Sequence, residues 1–352
     1  MPDVSPEPEE EALQAELAEQ NRILHHHILA QRQLMPQGMG HRLYGTSATP
    51  LPLQRPRILF YHPANLVVTA SAGLSLSDLH RALAPYRQWL PLVPWDGQED
   101  TLGGAVAAAL EGPYRGYGSF RDRVIGLSVV IPALGPVNLG ARVVKNVAGY
   151  NVLRLLWGSR GTLGVITAVT VKVSPWPEWQ GMWQIPVAPD SWRETLETFK
   201  TFAATWAALS LSRESGRLTL YAVAHGRPSL ASAFVDRLGP PSGTAIPPLS
   251  SGAPIIVAGA VTRSIMPEFL QCWPSSAPVR VEAQSGAFFG YLHDGQEYQA
   301  LARWLADRQG SLRVLRDPEA ATPPPLVRDR WWASLKALWD PDGCLWDPRK
   351  EG

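Results

Sequence analysis

The sequence predicts an α+β protein built from two main units, and three observations carry that expectation. The chain has 352 residues, against about 150 for an average domain. β-Branched runs alternate with Ala- and Leu-rich helical stretches along both halves. A Pro175-Trp176-Pro177 break divides the two patterns. The 33 prolines also favour a loop-rich fold over a helical bundle, because proline removes a helix-forming N–H.

Residues 9–33 lack Gly and Pro and predict a helix, with Leu13, Leu17, Leu24 and Ile28 on one loose apolar stripe. His25-His26-His27 within it reads as solvated surface, since successive helical side chains diverge by about 100° and cannot converge on one ion. A glycine-bearing turn at residues 36–45 leads through a proline-rich connector to Pro56. Residues 66–70 predict a strand. Ser75-Leu76-Ser77-Asp78 has capping-box-like spacing and opens a helix to Leu83 that Pro85 ends. After a turn at residues 94–97, Thr101-Leu102-Gly103-Gly104 runs directly into an Ala-rich helix former over 105–110. A strand follows at 123–131, a turn at Gly135-Pro136 and a short helix at 151–157. The cleanest strand spans 164–173, with Val165, Thr167, Val169, Val171 and Val173 on one face.

Beyond Trp179 the pattern predicts a smaller α+β unit: helix 191–208, strand 217–224, helix 229–238, a Pro/Ser/Gly-rich loop 239–254, then strand 255–261 and a further helix and strand. Residues 331–336 predict a helix with an aromatic face, closed by the turn Asp340-Pro341-Asp342-Gly343.

A formal charge of +1, from 32 basic and 31 acidic residues, removes the electrostatic case for nucleic acid or an anionic membrane as partner. Two cysteines, Cys272 and Cys344, fit a reducing compartment and fall short of the four ligands an iron–sulfur cluster normally needs. The acidic, proline-broken start is unlike a signal peptide, and no stretch nears the roughly 18–20 apolar residues of a spanning helix. The expectation is a soluble, cytoplasmic protein with no transmembrane segment and no bound metal.

Glycine clusters are the chemical signal of the first half. At Thr101-Leu102-Gly103-Gly104, glycines before a helix would present bare N–H groups at its positive end, a seat for phosphate. Gly158-Ser159-Arg160-Gly161-Thr162-Leu163-Gly164 spaces its glycines three apart before a strand, so a ligand could lie against backbone. Either cluster alone is as readily a plain turn. No P-loop, Rossmann fingerprint, G-x-S-x-G elbow or zinc spacing is present.

Taken in order, residues 66–70, Thr101–Gly104, Gly112-Pro113-Tyr114-Arg115-Gly116-Tyr117-Gly118-Ser119-Phe120-Arg121-Asp122, Val144-Lys145-Asn146-Val147-Ala148-Gly149-Tyr150-Asn151 and residues 158–167 resemble the FAD-binding domain of the vanillyl-alcohol-oxidase/p-cresol-methylhydroxylase (PCMH) family. Within it the series is most similar to the FAD-binding subunits of bacterial glycolate oxidases. The resemblance is strong over residues 36–178. It implies a PCMH-type FAD-binding domain of two α+β subdomains at 36–178, preceded by the helix at 1–35. A smaller cap-like α+β domain would follow at 179–330, and a tail at 331–352 would return to the flavin domain.

The resemblance further implies non-covalent FAD. Gly38 and Gly40 would lie in the first phosphate loop, while Thr101, Leu102, Gly103 and Gly104 would line the pyrophosphate and isoalloxazine channel. Gly112, Gly116 and Ser119 would form the next wall, and Gly161, Gly164, Val165 and Ile166 would hold the adenosine end. Lys145-Asn146 begins a family signature read here as packing. Electrons would pass within a complex oxidising glycolate or a similar 2-hydroxy acid. The implied partners are a larger FAD-containing catalytic subunit and an iron–sulfur subunit, through which the chain would sit at a membrane periphery.

Relatives carry Arg, three glycines and Ser or Thr in the first loop. Pro36-Gln37-Gly38-Met39-Gly40 stands here instead, with His41 after it. A second reading follows from that erosion and from the 14 tryptophans: a cofactor-free docking subunit with a degenerate flavin site. His293 and Arg303 are candidates for hydroxy-acid chemistry by residue type alone.

Overall fold

The computed structural model describes residues 8–39, 48–52, 56–140, 152–188, 191–200, 206–317 and 329–347. The first half contains α1 (Pro8–Leu29), β1 (Leu34–Gln37), β2 (Thr49–Pro52), β3 (Ile58–His62), β4 (Val67–Ser71), α2 (Leu76–Leu83), β5 (Gln88–Trp89), α3 (Leu102–Ala107), α4 (Phe120–Arg123), β6 (Val124–Ile131), β7 (Gly135–Gly140), α5 (Leu153–Leu156), β8 (Val165–Lys172) and β9 (Ser174–Pro175). Five of these strands form an antiparallel sheet in the order β3-β4-β8-β6-β7.

β8 lies at its centre and is buried along all but Lys172, so both of its faces are covered. Val169 and Val171 pack with Leu79 and Leu83 of α2 and with Leu102 and Val106 of α3. Thr69 and Thr170 share a buried hydrogen bond of 2.9 Å across β4 and β8. The predicted cap of α2 is present: Ser75 Oγ accepts from the Asp78 N–H at 3.0 Å.

α1 stops at Leu29, short of the expected 33, and Gln33 turns left-handed (φ 54°) into β1. Ile28 packs with Leu34, Val130 and Val165. The histidine run differs from the solvated expectation at one position: His25 reaches the five-stranded sheet, its Nε2 2.8 Å from the Pro132 carbonyl, while His26 and His27 are exposed. β1 pairs in parallel with β2. Its other side takes the tail, with the Leu34 N–H donating to Cys344 O and the Trp346 N–H to Leu34 O, both at 2.8 Å.

The second half contains β10 (Trp179–Val187), α6 (Trp192–Lys200), β11 (Trp206–Glu214), β12 (Arg217–Gly226), α7 (Ala231–Leu238), β13 (Ile255–Ala260), α8 (Met266–Cys272), β14 (Val279–Glu282), β15 (Ala287–Leu292), α9 (Gly295–Ala306) and β16 (Ser311–Arg316), and α10 (Asp329–Trp339) follows. Seven strands form one antiparallel sheet, β10-β12-β11-β14-β15-β13-β16. The helix expected over 191–208 is corrected at its end, because β11 already starts at Trp206. There Trp206, Leu209 and Leu211 enter the core of one sheet face together with Phe234, Phe269 and Leu301. The opposite face meets the first half: Tyr221 and Val223 pack with Trp89 and Tyr114, and Phe289 and Tyr291 with Trp95.

Candidate functional site

The bend at Thr101–Gly104 has a built N-cap. Thr101 Oγ1 accepts from the Gly104 N–H at 3.1 Å, as Thr does at a helix start. The Leu102 and Gly103 N–H groups donate to Leu74 O (2.9 Å) and Ala72 O (2.8 Å). The expected bare amides are therefore corrected: all three are engaged inside the protein, because α3 starts against the loop after β4. The glycines serve that approach. A Cβ at Gly103 would lie 2.5 Å from the Ala72 Cβ, and one at Gly104 2.8 Å from Thr101 Oγ1.

The first phosphate loop, the Thr101 bend and the 158–164 turn expected at the adenosine end lie against one another. A Cβ on Gly38 would meet the Thr101 hydroxyl, and one on Gly161 would lie 2.7 Å from the Pro36 ring. The first loop thus runs between Thr101 and the 158–164 turn, and Met39 in it is 46% exposed. Gly161 needs its φ of +73°, a region costly for residues with a side chain. Ser159 is 4% exposed, and its Oγ has no hydrogen-bond partner among the described residues. That orphan is a signal sequence reasoning missed, and a buried hydroxyl ordinarily finds a partner. Its backbone is fixed by Thr162, whose N–H (3.0 Å) and Oγ1 (2.6 Å) both donate to Ser159 O.

Gly164 packs on Val129 and Ile131. The side chains of Val165 and Ile166 belong to the apolar cores. Gly40, His41, Lys145 and Asn146 lie outside the described residues.

Gly112 and Gly116 sit where the first half meets the seven-stranded sheet. Cβ atoms there would meet Val93 O at 2.6 Å and the Trp206 carbonyl. Ser119 caps α4, accepting from the Asp122 N–H at 3.1 Å and donating to Asp122 Oδ2 at 2.6 Å. Next to this loop, Tyr117 OH and His225 Nδ1 are hydrogen-bonded at 2.9 Å. Burial pushes the His225 imidazole down to about 4, so it is neutral at pH 7. Tyr114, its ring 5.6 Å from His225, is pushed up to about 12 by burial.

The same sheet face carries buried Arg280, which donates to Pro247 O at 2.6 Å and Glu214 Oε1 at 3.2 Å. Beside it Glu282 is raised by burial. His293 and Arg303 fall elsewhere: His293 faces Glu297 of α9, and Arg303 is exposed on that helix.

An elongated dinucleotide offers an anionic centre and flat ends. The 158–164 turn fits part of such a group through its orphaned hydroxyl and its glycine packed on Pro36. The amides at α3 fit less well, being taken already.

Residues 12–138 match a family described as FAD binding domain, a stretch that begins inside α1 and ends inside β7. Glycolate oxidase subunit GlcE of Escherichia coli (strain K12) is 44% identical over 122 residues, 34% of this chain and 35% of that protein. D-lactate dehydrogenase of Anaerostipes hadrus is 42% identical over 124 residues, 35% of this chain and 26% of that protein. Glycolate oxidase subunit GlcD of Bacillus subtilis (strain 168) is 38% identical over 124 residues, with the same two shares. The chain spans about a third or less of the length of these curated relatives. Over its matched residues it carries an FAD-binding domain of the PCMH type, whose cofactor is FAD.

Proposed function

We propose that this chain is the FAD-binding subunit of a glycolate oxidase-like complex that oxidises a 2-hydroxy acid. The observation that carries this is the meeting of Pro36–Gly38, Thr101 and the 158–164 turn, a turn whose Ser159 Oγ is buried and unpartnered among the described residues. The relatives named as glycolate oxidase subunits support the reaction class. When bound, FAD supplies a carrier that takes up and hands on electrons.

The chain's own part is to hold it. The glycine turn brings main chain against the cofactor, and the Ser159 hydroxyl offers a hydrogen bond. Residues 38, 40, 112, 116, 119, 161 and 164–166 are the proposed lining, with Val165 and Ile166 contributing backbone because their side chains face the cores. Thr101, Leu102, Gly103 and Gly104 back the seat, with their first-turn amides bonded inside the protein.

Oxidation of the acid falls to a partner, since His293 is held by Glu297 and Arg303 stands on the outer face of α9. The partners are a larger FAD-containing catalytic subunit and an iron–sulfur subunit. The chain works in the cytoplasm and reaches the membrane periphery through them. Among the described residues no helix is long and apolar enough to cross a membrane.

The test is reconstitution of the purified full chain with FAD. Visible flavin absorbance that survives gel filtration, with FAD released on heating, supports the proposal. A second reading, the cofactor-free docking subunit, is favoured by the engaged amides of α3 and by Met39 in the first loop. Folded protein that takes up no FAD and still captures the catalytic subunit would establish it.

A further inference from the structure

Lys336 of α10 is 3% exposed, and its ammonium is surrounded by oxygens from distant parts of the chain. Thr162 O and Leu345 O lie at 2.9 Å, Asp340 Oδ2 at 2.6 Å and Trp346 O at 3.3 Å. Asp340 in turn accepts from the Cys344 N–H (2.7 Å) and the Leu345 N–H (2.9 Å). One helical turn earlier, Trp332 Nε1 donates to Thr162 Oγ1 at 2.9 Å.

The cluster therefore joins three segments. It grips the 158–164 turn at Thr162, and it grips the tail at residues 344–346. The tail is laddered to Leu34, two residues before the Pro36 that packs on Gly161. A buried ion pair is a poor source of stability, because desolvating both charges offsets most of their attraction. Its directional bonds do fix geometry: three N–H donors satisfied by carbonyls and a carboxylate leave little freedom to the loops that supply them.

We infer that Lys336 is a positioning residue for the FAD seat, acting through Thr162 to set the Ser159 hydroxyl and the Gly161 turn against the Pro36–Gly38 loop. This rests on the FAD-binding function proposed above. Trp332 does the same work with a single bond, and the C-terminal helix is thereby part of the cofactor site without touching the cofactor.

The test uses the full chain, titrated with FAD, with two readouts: the dissociation constant and the visible circular-dichroism band of bound flavin, which reports the geometry of the seat. Lys336→Met is expected to raise the FAD dissociation constant tenfold or more and to change that band. Trp332→Phe, which keeps an aromatic side chain and removes the indole N–H, is expected to raise it two- to fivefold with only a small drop in melting temperature. A Lys336→Met chain that binds FAD within twofold of wild type with the same band overturns the inference. Where Lys336→Met does not fold, unchanged affinity and band in Trp332→Phe overturn it. Wild-type chain that takes up no FAD refutes the function itself, and this inference with it.

Discussion

At Thr101-Leu102-Gly103-Gly104 the first-turn N–H groups all have protein partners, and the two glycines make room for Ala72 and for the cap hydroxyl. Between Gly158 and Gly164 the chain makes left-handed steps at Gly158, Arg160 and Gly161, and keeps the Ser159 hydroxyl buried with no described partner. The two bends have similar composition and both precede a buried element. In the first, glycine permits backbone to touch backbone and the polar groups are consumed. In the second, it permits a sharp turn that leaves a polar group to spare. Glycine next to a helix is thus weak evidence for a phosphate, whereas an orphaned buried donor beside a glycine turn is stronger evidence for a ligand.

The largest test of this contrast is Gly161→Ala. It combines a left-handed φ with a Cβ 2.7 Å from the Pro36 ring. Strain of about 1–2 kcal/mol adds to overpacking of about 1–3 kcal/mol. The expected outcome is a lower denaturant midpoint together with loss of FAD uptake.

Gly103→Ala comes next. Its Cβ would lie 2.5 Å from the Ala72 Cβ, so a loss of about 1–3 kcal/mol is expected in urea unfolding. FAD affinity in the folded fraction should stay within about twofold, since this bend serves packing. A selective loss of FAD without loss of stability would erase the distinction between the two bends.

Much of this was legible in the sequence. Ser75 caps its helix as its spacing announces, and the valine run of β8 is the central strand. What stayed hidden depends on partners far away in the chain. The amides of α3 are bonded to Ala72 and Leu74, before α2 and β5 in the chain, which no local pattern reveals. The start of β11 reads as a helix end because Trp206-Ala207-Ala208 continues an Ala-containing helical stretch, and burial against Phe234 overrides that propensity. Lys336 reads from sequence only as part of the tail that returns to the flavin domain, since its bonds are supplied by Thr162, Leu345 and Trp346.

Thr101→Val sharpens the comparison further. It keeps the shape beside Gly38 and removes the oxygen that accepts from the Gly104 N–H. Loss of an N-cap of this kind costs about 1 kcal/mol, to be read as a small drop in thermal midpoint. FAD uptake should be nearly unchanged. A loss of flavin well beyond that of stability would mean that the Thr101 hydroxyl contacts the cofactor as well as the helix.

The smallest effect on stability, and the most discriminating, belongs to Ser159→Ala. A buried hydroxyl without a partner carries an uncompensated desolvation cost of about 1–3 kcal/mol, so its removal should leave the flavin-free chain as stable as wild type or more stable by up to about 1 kcal/mol. With FAD present the sign reverses. One lost hydrogen bond of about 1 kcal/mol corresponds to roughly a fivefold weaker dissociation constant. Thermal shift measured with and without FAD therefore separates the two states in a single experiment. The variant should melt at or above wild type alone, and gain less from the ligand at a fixed subsaturating concentration. If both shifts match wild type, the hydroxyl is a packing remnant and the 158–164 turn joins the Thr101 bend as plain architecture.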